Sequence, residues 1–134
     1  ERVDNALLGW LAETRLQKVM VVHVNHANEI DEKVVAAMHR LKAANVTLLN
    51  QSVLLRGVND SADALVSLSE RLFAAGVLPY YLHMLDKVQG VAHFAVSDSA
   101  AGQLMDEMRA RVPGYLVPKL VREIPGEPSK SGLE

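Results

Sequence analysis

Val77 to Phe94, VLPYYLHMLDKVQGVAHF, decides how the rest of the chain is read. It opens as a short apolar run rich in β-formers (Tyr80, Tyr81, Leu82) and ends in a loop carrying Asp86, Gly90 and His93. An apolar run passing straight into a polar, glycine-containing loop is how a buried parallel strand delivers side chains to a site. Two earlier stretches do the same: QKVMVVHVNHANEI (Gln17 to Ile30) and VTLLNQSVLLRGVND (Val46 to Asp60). In each, a β-rich segment runs into His, Asn, Gln or Arg. Three strand ends converging on one ligand is the expectation, with Lys130 completing the site.

Helical spacing fills the intervals. Val3 to Glu13 places Val3, Leu7, Trp10 and Leu11 on one side, with Trp10 as a core or groove anchor. Lys18 to Val24 is continuous and β-branched, the pattern of a strand buried on both faces. Asp31 to Ala44 carries an inward stripe of Val34, Val35, Met38 and Leu41, leaving His39 on the surface. A third helix follows Asp60, its predicted cap, with Leu65, Leu68 and Leu72 at helical spacing. Ala43-Ala44-Asn45-Val46 and Ala74-Ala75-Gly76-Val77 repeat one joint: helix end, left-handed residue, β-branched strand start. Pro79 falls near the start of its strand, where a lost donor is tolerated. Ser97 caps a fourth helix running through Val112, and Tyr115 to Ile124 is a last extended segment. Ile124 to Gly132, with two prolines and two glycines, is loop.

The order is α, three βα units, then β, with strands recurring at the βαβ interval of about 30 residues. A closed (βα)₈ barrel typically needs about 250 residues, so a half or partial barrel, or an open three-layer sheet, remains. In either, ligands sit at the C-terminal strand ends, where His23, Gln51 and Asp86 fall.

The 134 residues are 49% hydrophobic with a net charge of −2, enough apolar surface for one core. So balanced a charge gives no electrostatic reason to expect nucleic acid or an anionic membrane as partner. No apolar run approaches the roughly 20 residues of a bilayer span and no signal pattern opens the chain, so a cytoplasmic protein is expected. With no cysteine, disulfides and thiolate metal sites are excluded. The chain opens at Glu1 without methionine and closes on Leu133-Glu134, which resembles a cloning scar; a fragment of a longer protein is expected.

Taken singly, the polar residues are unspecific. Lys130 lies among Gly126, Pro128 and Ser129; such a lysine forms a Schiff base with a carbonyl once its pKa is lowered, but an exposed tail lysine is the plainer alternative. Asp86 and Glu123 suit an ammonium group, an acid/base pair, or no ligand at all. His23 and His26 flank Asn25 without the spacing of a zinc site. Arg56 is available to an anion or to Asp60.

Taken together, HVNHANEI (His23 to Ile30), NQSVLLRGVND (Asn50 to Asp60) and PYYLHMLDKVQGVAHF (Pro79 to Phe94) resemble, in order, the successive motifs of the lysine 2,3-aminomutase family. These are radical S-adenosylmethionine enzymes that also use pyridoxal phosphate, and the resemblance runs from about Lys18 to Lys130. It implies that Lys130 carries pyridoxal phosphate and that Asp86 binds the side-chain ammonium of a lysine substrate. Glu123 stands where lysine-specific members have an aspartate with the same task. His23 and Gln51 match positions lining the S-adenosylmethionine pocket. The implied fold is the C-terminal half of a partial (βα)₆ barrel over residues 1–132, with residues 133–134 outside it.

Two departures refine this. Members acting on free lysine have a glycine run before the lysine, and their chain continues well past it. Here the loop is Gly126-Glu127-Pro128-Ser129 and the chain stops soon after. Both features resemble the branch that makes (R)-β-lysine for modifying elongation factor P. The family's CxxxCxxC motif, whose thiolates hold a [4Fe–4S] cluster, is absent, so this chain alone is expected to be inert. An aminomutase for glutamate is an alternative, opposed by two carboxylates that would repel an anionic substrate. A non-catalytic α/β binding module is another. A half barrel would leave open strand edges and an uncovered apolar face, so self-association is expected.

Overall fold

The computed structural model describes residues 4–13, 18–85, 92–122 and 131–132. The elements are α1 (Asn5–Glu13), β1 (Lys18–Val22), α2 (Glu32–Ala43), β2 (Val46–Leu54), α3 (Ala62–Ala74), β3 (Val77–Met84), α4 (Asp98–Arg111), β4 (Lys119–Arg122) and β5 (Ser131–Gly132). They form one sheet in the order β1-β2-β3-β4-β5, in which the first four strands are parallel and β5 is antiparallel to β4. Sequential strands lying side by side in parallel, each pair linked through a helix, make the sector of a βα barrel anticipated above.

The helices take one face of this sheet. In β2, Val46, Leu48, Asn50, Ser52 and Leu54 are buried while Thr47, Leu49, Gln51 and Val53 are not, the period of two that separates the faces of a strand. On the buried face α3 divides the core. Leu68 and Leu72 pack with Met38 and Leu41 of α2 and with Val22, Val46 and Leu48. Leu65 and Val66 pack with Leu104, Met105 and Met108 of α4 and with Leu82 and Leu120. Each buried leucine stabilises the fold by roughly 1.5–3 kcal/mol.

Local signals account for the helix ends. Asp31, Ser61 and Ser97 cap α2, α3 and α4, accepting from the N–H of Val34, Ala64 and Ala100. Asp60 is therefore not the cap of α3: its Oδ1 accepts from Gly57 N–H at 2.9 Å and closes the preceding turn. The repeated joint forms as read, with Asn45 at φ 65° and Gly76 at φ 84°.

Four further expectations are corrected. β1 ends at Val22, and its other face is open: Val19 and Val21 are 59% and 40% exposed, because β1 is the outer strand and its helix covers one side. Trp10 is 64% exposed; Leu7 and Leu8 make the contact of α1 with the core instead. The segment after α4 is a 3₁₀ turn (Gly114–Leu116) and then the four residues of β4, shorter than the continuous strand expected from Tyr115. Ser131 and Gly132, read as loop, pair with Arg122 and Val121 as a short edge strand.

Candidate active site

The uncovered face of the sheet carries the candidate site. Val22 pairs with Asn50, so His23, one residue on, stands level with Gln51. Gln51 pairs with Tyr81, and Tyr81 with Lys119. Gln51, Tyr81 and Lys119 thus form one row across three strands, and His23, the residue after β1, continues it past the end of the ladder. Its side chains alternate with buried neighbours: His23 is exposed between Val22 and Val24, Gln51 half-buried between Asn50 and Ser52. The next level up holds Val53, His83 and Val121. His83 meets Tyr81 edge-on with ring centroids 5.8 Å apart, and its Nε2 is buried. The level below is apolar, with Val21, Leu49 and Leu78. A ligand resting here meets an apolar floor and, above it, imidazole, carboxamide, phenol and one ammonium.

Tyr81 reaches this row through an irregularity. Asn50 pairs with Pro79 but Gln51 pairs with Tyr81, leaving Tyr80 as the extra residue of a bulge. Pro79 sits in an inner strand, yet β4 pairs with β3 only from Tyr81 onward, so the proline deprives no neighbour of a donor.

Asparagines hold the end of β1 in place. Asn50, 1% exposed, accepts from Val24 N–H at 2.8 Å and donates to Val24 O at 3.0 Å, continuing the ladder past the end of β1. Asn25 Oδ1 accepts from Val53 N–H at 2.9 Å. His26 then caps the 3₁₀ turn Ala27–Glu29, its Nδ1 accepting from Asn28 N–H, while Glu29 accepts from the N–H groups of Asn25 and His26. His26 is thus engaged in shaping the loop.

Of the residues read from the sequence, His23 and Gln51 are brought to one level. Arg56 is exposed on the loop after β2, with its backbone N–H donated to Phe94 O at 2.8 Å. Asp86, Glu123 and Lys130 lie outside the described residues. Their described neighbours in sequence are Leu85, Arg122, which forms an ion pair with Asp98, and Ser131, which pairs with Arg122. Sequence reasoning missed Tyr81, His83 and Lys119 as site residues, though their spacing of two in β3 and their place beside Gln51 carried the signal.

The sheet has the fold of a radical SAM enzyme barrel. It superimposes on a radical SAM methyltransferase from Sphaerobacter thermophilus with a TM-score of 0.61 at 16% identity, over 87% of this chain and 37% of that one. No protein-family model matches the chain. Relatives place it further: it is 59% identical over 133 residues to the L-lysine 2,3-aminomutase of Escherichia coli K12 and 58% identical over 131 residues to that of Haemophilus influenzae. To the L-lysine 2,3-aminomutase of Clostridium subterminale it is 39% identical over 109 residues, 81% of this chain and 26% of that protein. The chain belongs to the lysine 2,3-aminomutase family, and it spans about 39% of the length of the first two relatives.

Proposed function

We propose that the chain is part of an enzyme that converts L-lysine to β-lysine by 2,3-amino migration, and that its product serves the modification of elongation factor P. The observation that carries this reading is the match of 58–59% identity, over 98–99% of the chain, to proteins named L-lysine 2,3-aminomutase. The row of His23, Gln51 and Tyr81 supports it, because those side chains fit S-adenosylmethionine: a carboxamide and an imidazole for the polar edges of a purine or an amino-acid group, and an aromatic ring for its face. S-adenosylmethionine together with an iron–sulfur cluster would supply the hydrogen-abstracting chemistry of this reaction. With no cysteine, this chain contributes no thiolate to that cluster and is inert alone.

Lys130 is the proposed anchor for pyridoxal phosphate, the ring that carries the migrating nitrogen. Asp86 and Glu123 are the proposed partners of the substrate's side-chain ammonium, each able to accept charge-assisted hydrogen bonds from it. The loop Gly126-Glu127-Pro128-Ser129, in place of a glycine run, supports the elongation-factor branch.

The test is to add pyridoxal phosphate to the full-length protein containing this chain, reduce with borohydride, and map the phosphopyridoxyl label by mass spectrometry. Label at Lys130 is expected, with loss of turnover in K130A. Label at another lysine, or full turnover in K130A, overturns the assignment.

A further inference from the structure

Asn59 follows the turn after β2, is 1% exposed, and uses its carboxamide on three backbone groups. Its Nδ2 donates to Asn25 O at 2.8 Å and to Val53 O at 2.9 Å, and its Oδ1 accepts from Leu55 N–H at 2.8 Å. Asn25 belongs to the loop after β1, whereas Val53 and Leu55 belong to the end of β2 and the residue beyond it. Only a side chain with two donors and one acceptor in a plane meets all three, and among residues of this size that is asparagine.

We propose that Asn59 is a positioning residue: it clamps the backbone of the β1 loop against the end of β2 and so keeps His23 level with Gln51. Parallel strands this far along have no ladder between them, since β1 stops at Val22. Asn50 supplies the first tie past that point, at Val24, and Asn59 supplies the next, at Asn25. The Asn25 side chain then closes the set on Val53 N–H. Without the Asn59 tie, the Asn25 carbonyl loses its partner on β2 and the loop rests on the Asn50 bonds to Val24, the Asn25 side chain on Val53 N–H and the Glu29 carboxylate, a looser seat for the residues that follow His23.

The clamp stands on the geometry alone; its consequence for S-adenosylmethionine rests on the function proposed above. The discriminating variant is N59D, which keeps the acceptor toward Leu55 N–H and replaces two donated hydrogen bonds by repulsion from the Asn25 and Val53 carbonyls. Hydrogen exchange of this chain is expected to quicken about tenfold at Val53 N–H, with Leu55 N–H and the amides of Leu68 and Leu72 in α3 unchanged. Unchanged exchange at Val53, or an equal rise in α3, overturns the clamp. Should N59D fail to fold, N59A removes all three ties without the repulsion, and Val53 N–H and Leu55 N–H are then expected to quicken together while Leu68 and Leu72 stay unchanged. In the full-length enzyme N59D is expected to weaken S-adenosylmethionine binding about tenfold, measured by calorimetry. If exchange at Val53 quickens and that affinity does not change, the positioning role is overturned while the clamp stands. If the wild-type enzyme binds no S-adenosylmethionine, the proposed function fails and the exchange result is untouched.

Discussion

Gln51 stands beside Tyr81, although the preceding residue, Asn50, stands beside Pro79. The skipped Tyr80 is 40% exposed and contacts Tyr81 edge-on at 4.5 Å. The bulge therefore selects which of two adjacent tyrosines joins the row with His23 and Lys119. In the full-length enzyme Y81A is expected to weaken S-adenosylmethionine binding by about 1 kcal/mol, the scale of one aromatic contact, and Y80A by under half that. Calorimetry on the two variants decides it; equal losses would show that the register has no bearing on the ligand.

The two joints that turn a helix into a strand differ in one residue, which makes them a controlled comparison. Asn45 and Gly76 both have positive φ, a conformation that costs an ordinary L-residue roughly 1–2 kcal/mol. A Cβ at Gly76 would also lie 3.1 Å from Lys42 Cγ, close enough to push that side chain aside. G76A is expected to lose about 1–2 kcal/mol and N45G to stay within about 0.5 kcal/mol of wild type, read from urea midpoints. A neutral G76A would mean that the joint relaxes to another backbone conformation.

How much of this was legible beforehand depended on whether the deciding signal was local. The joints, the cap at Ser97 and the stripe of α2 rest on neighbours in sequence and form as read. The cap of α3 did not, because Asp60 and Ser61 are both good caps and the choice falls to where Asp60 finds a closer donor, Gly57. The run KVMVV predicts burial on both faces, because an unbroken apolar run cannot reveal whether a second layer exists; here the far side of β1 is open. At the site, His23 and Gln51 stood out as polar residues after apolar runs. Tyr81 and Lys119 did not, since their membership depends on a bulge and on strand register, which are fixed only when four strands pair.

Asn50 offers a stability test with a distinctive pH dependence. N50A deletes both bonds to Val24 and is expected to cost about 1–3 kcal/mol. N50D places an acceptor 3.0 Å from the Val24 carbonyl in a buried position, so at pH 7 its cost exceeds that of N50A. Burial beside a carbonyl raises the folded-state pKa of the introduced carboxyl above its unfolded value. The penalty is then present at neutral pH and relieved as pH falls through the raised folded pKa, where the protonated group again donates to Val24 O. Relative to wild type, N50D should gain stability between pH 7 and pH 5, and parallel denaturation curves at the two values would contradict this.

The open face of the sheet leads to the last prediction. Val19, Val21, Leu78 and Tyr80 are each at least 38% exposed, and β1 presents an unpaired edge among the described residues. Apolar side chains beside a free strand edge favour association, either edge to edge or face to face. This chain on its own is expected to sediment as a dimer or larger species at tens of micromolar, about the range in which such surfaces associate. V21K sets an ammonium in the centre of that patch on the edge strand and should restore a monomer without lowering the unfolding midpoint, because Val21 lies outside the core on the helix side. A monodisperse wild-type monomer would mean that the exposed valines are too few to drive assembly. A V21K variant that remains associated would locate the contact elsewhere, with the exposed pair Phe73 and Tyr115 on the helical side as the next place to look.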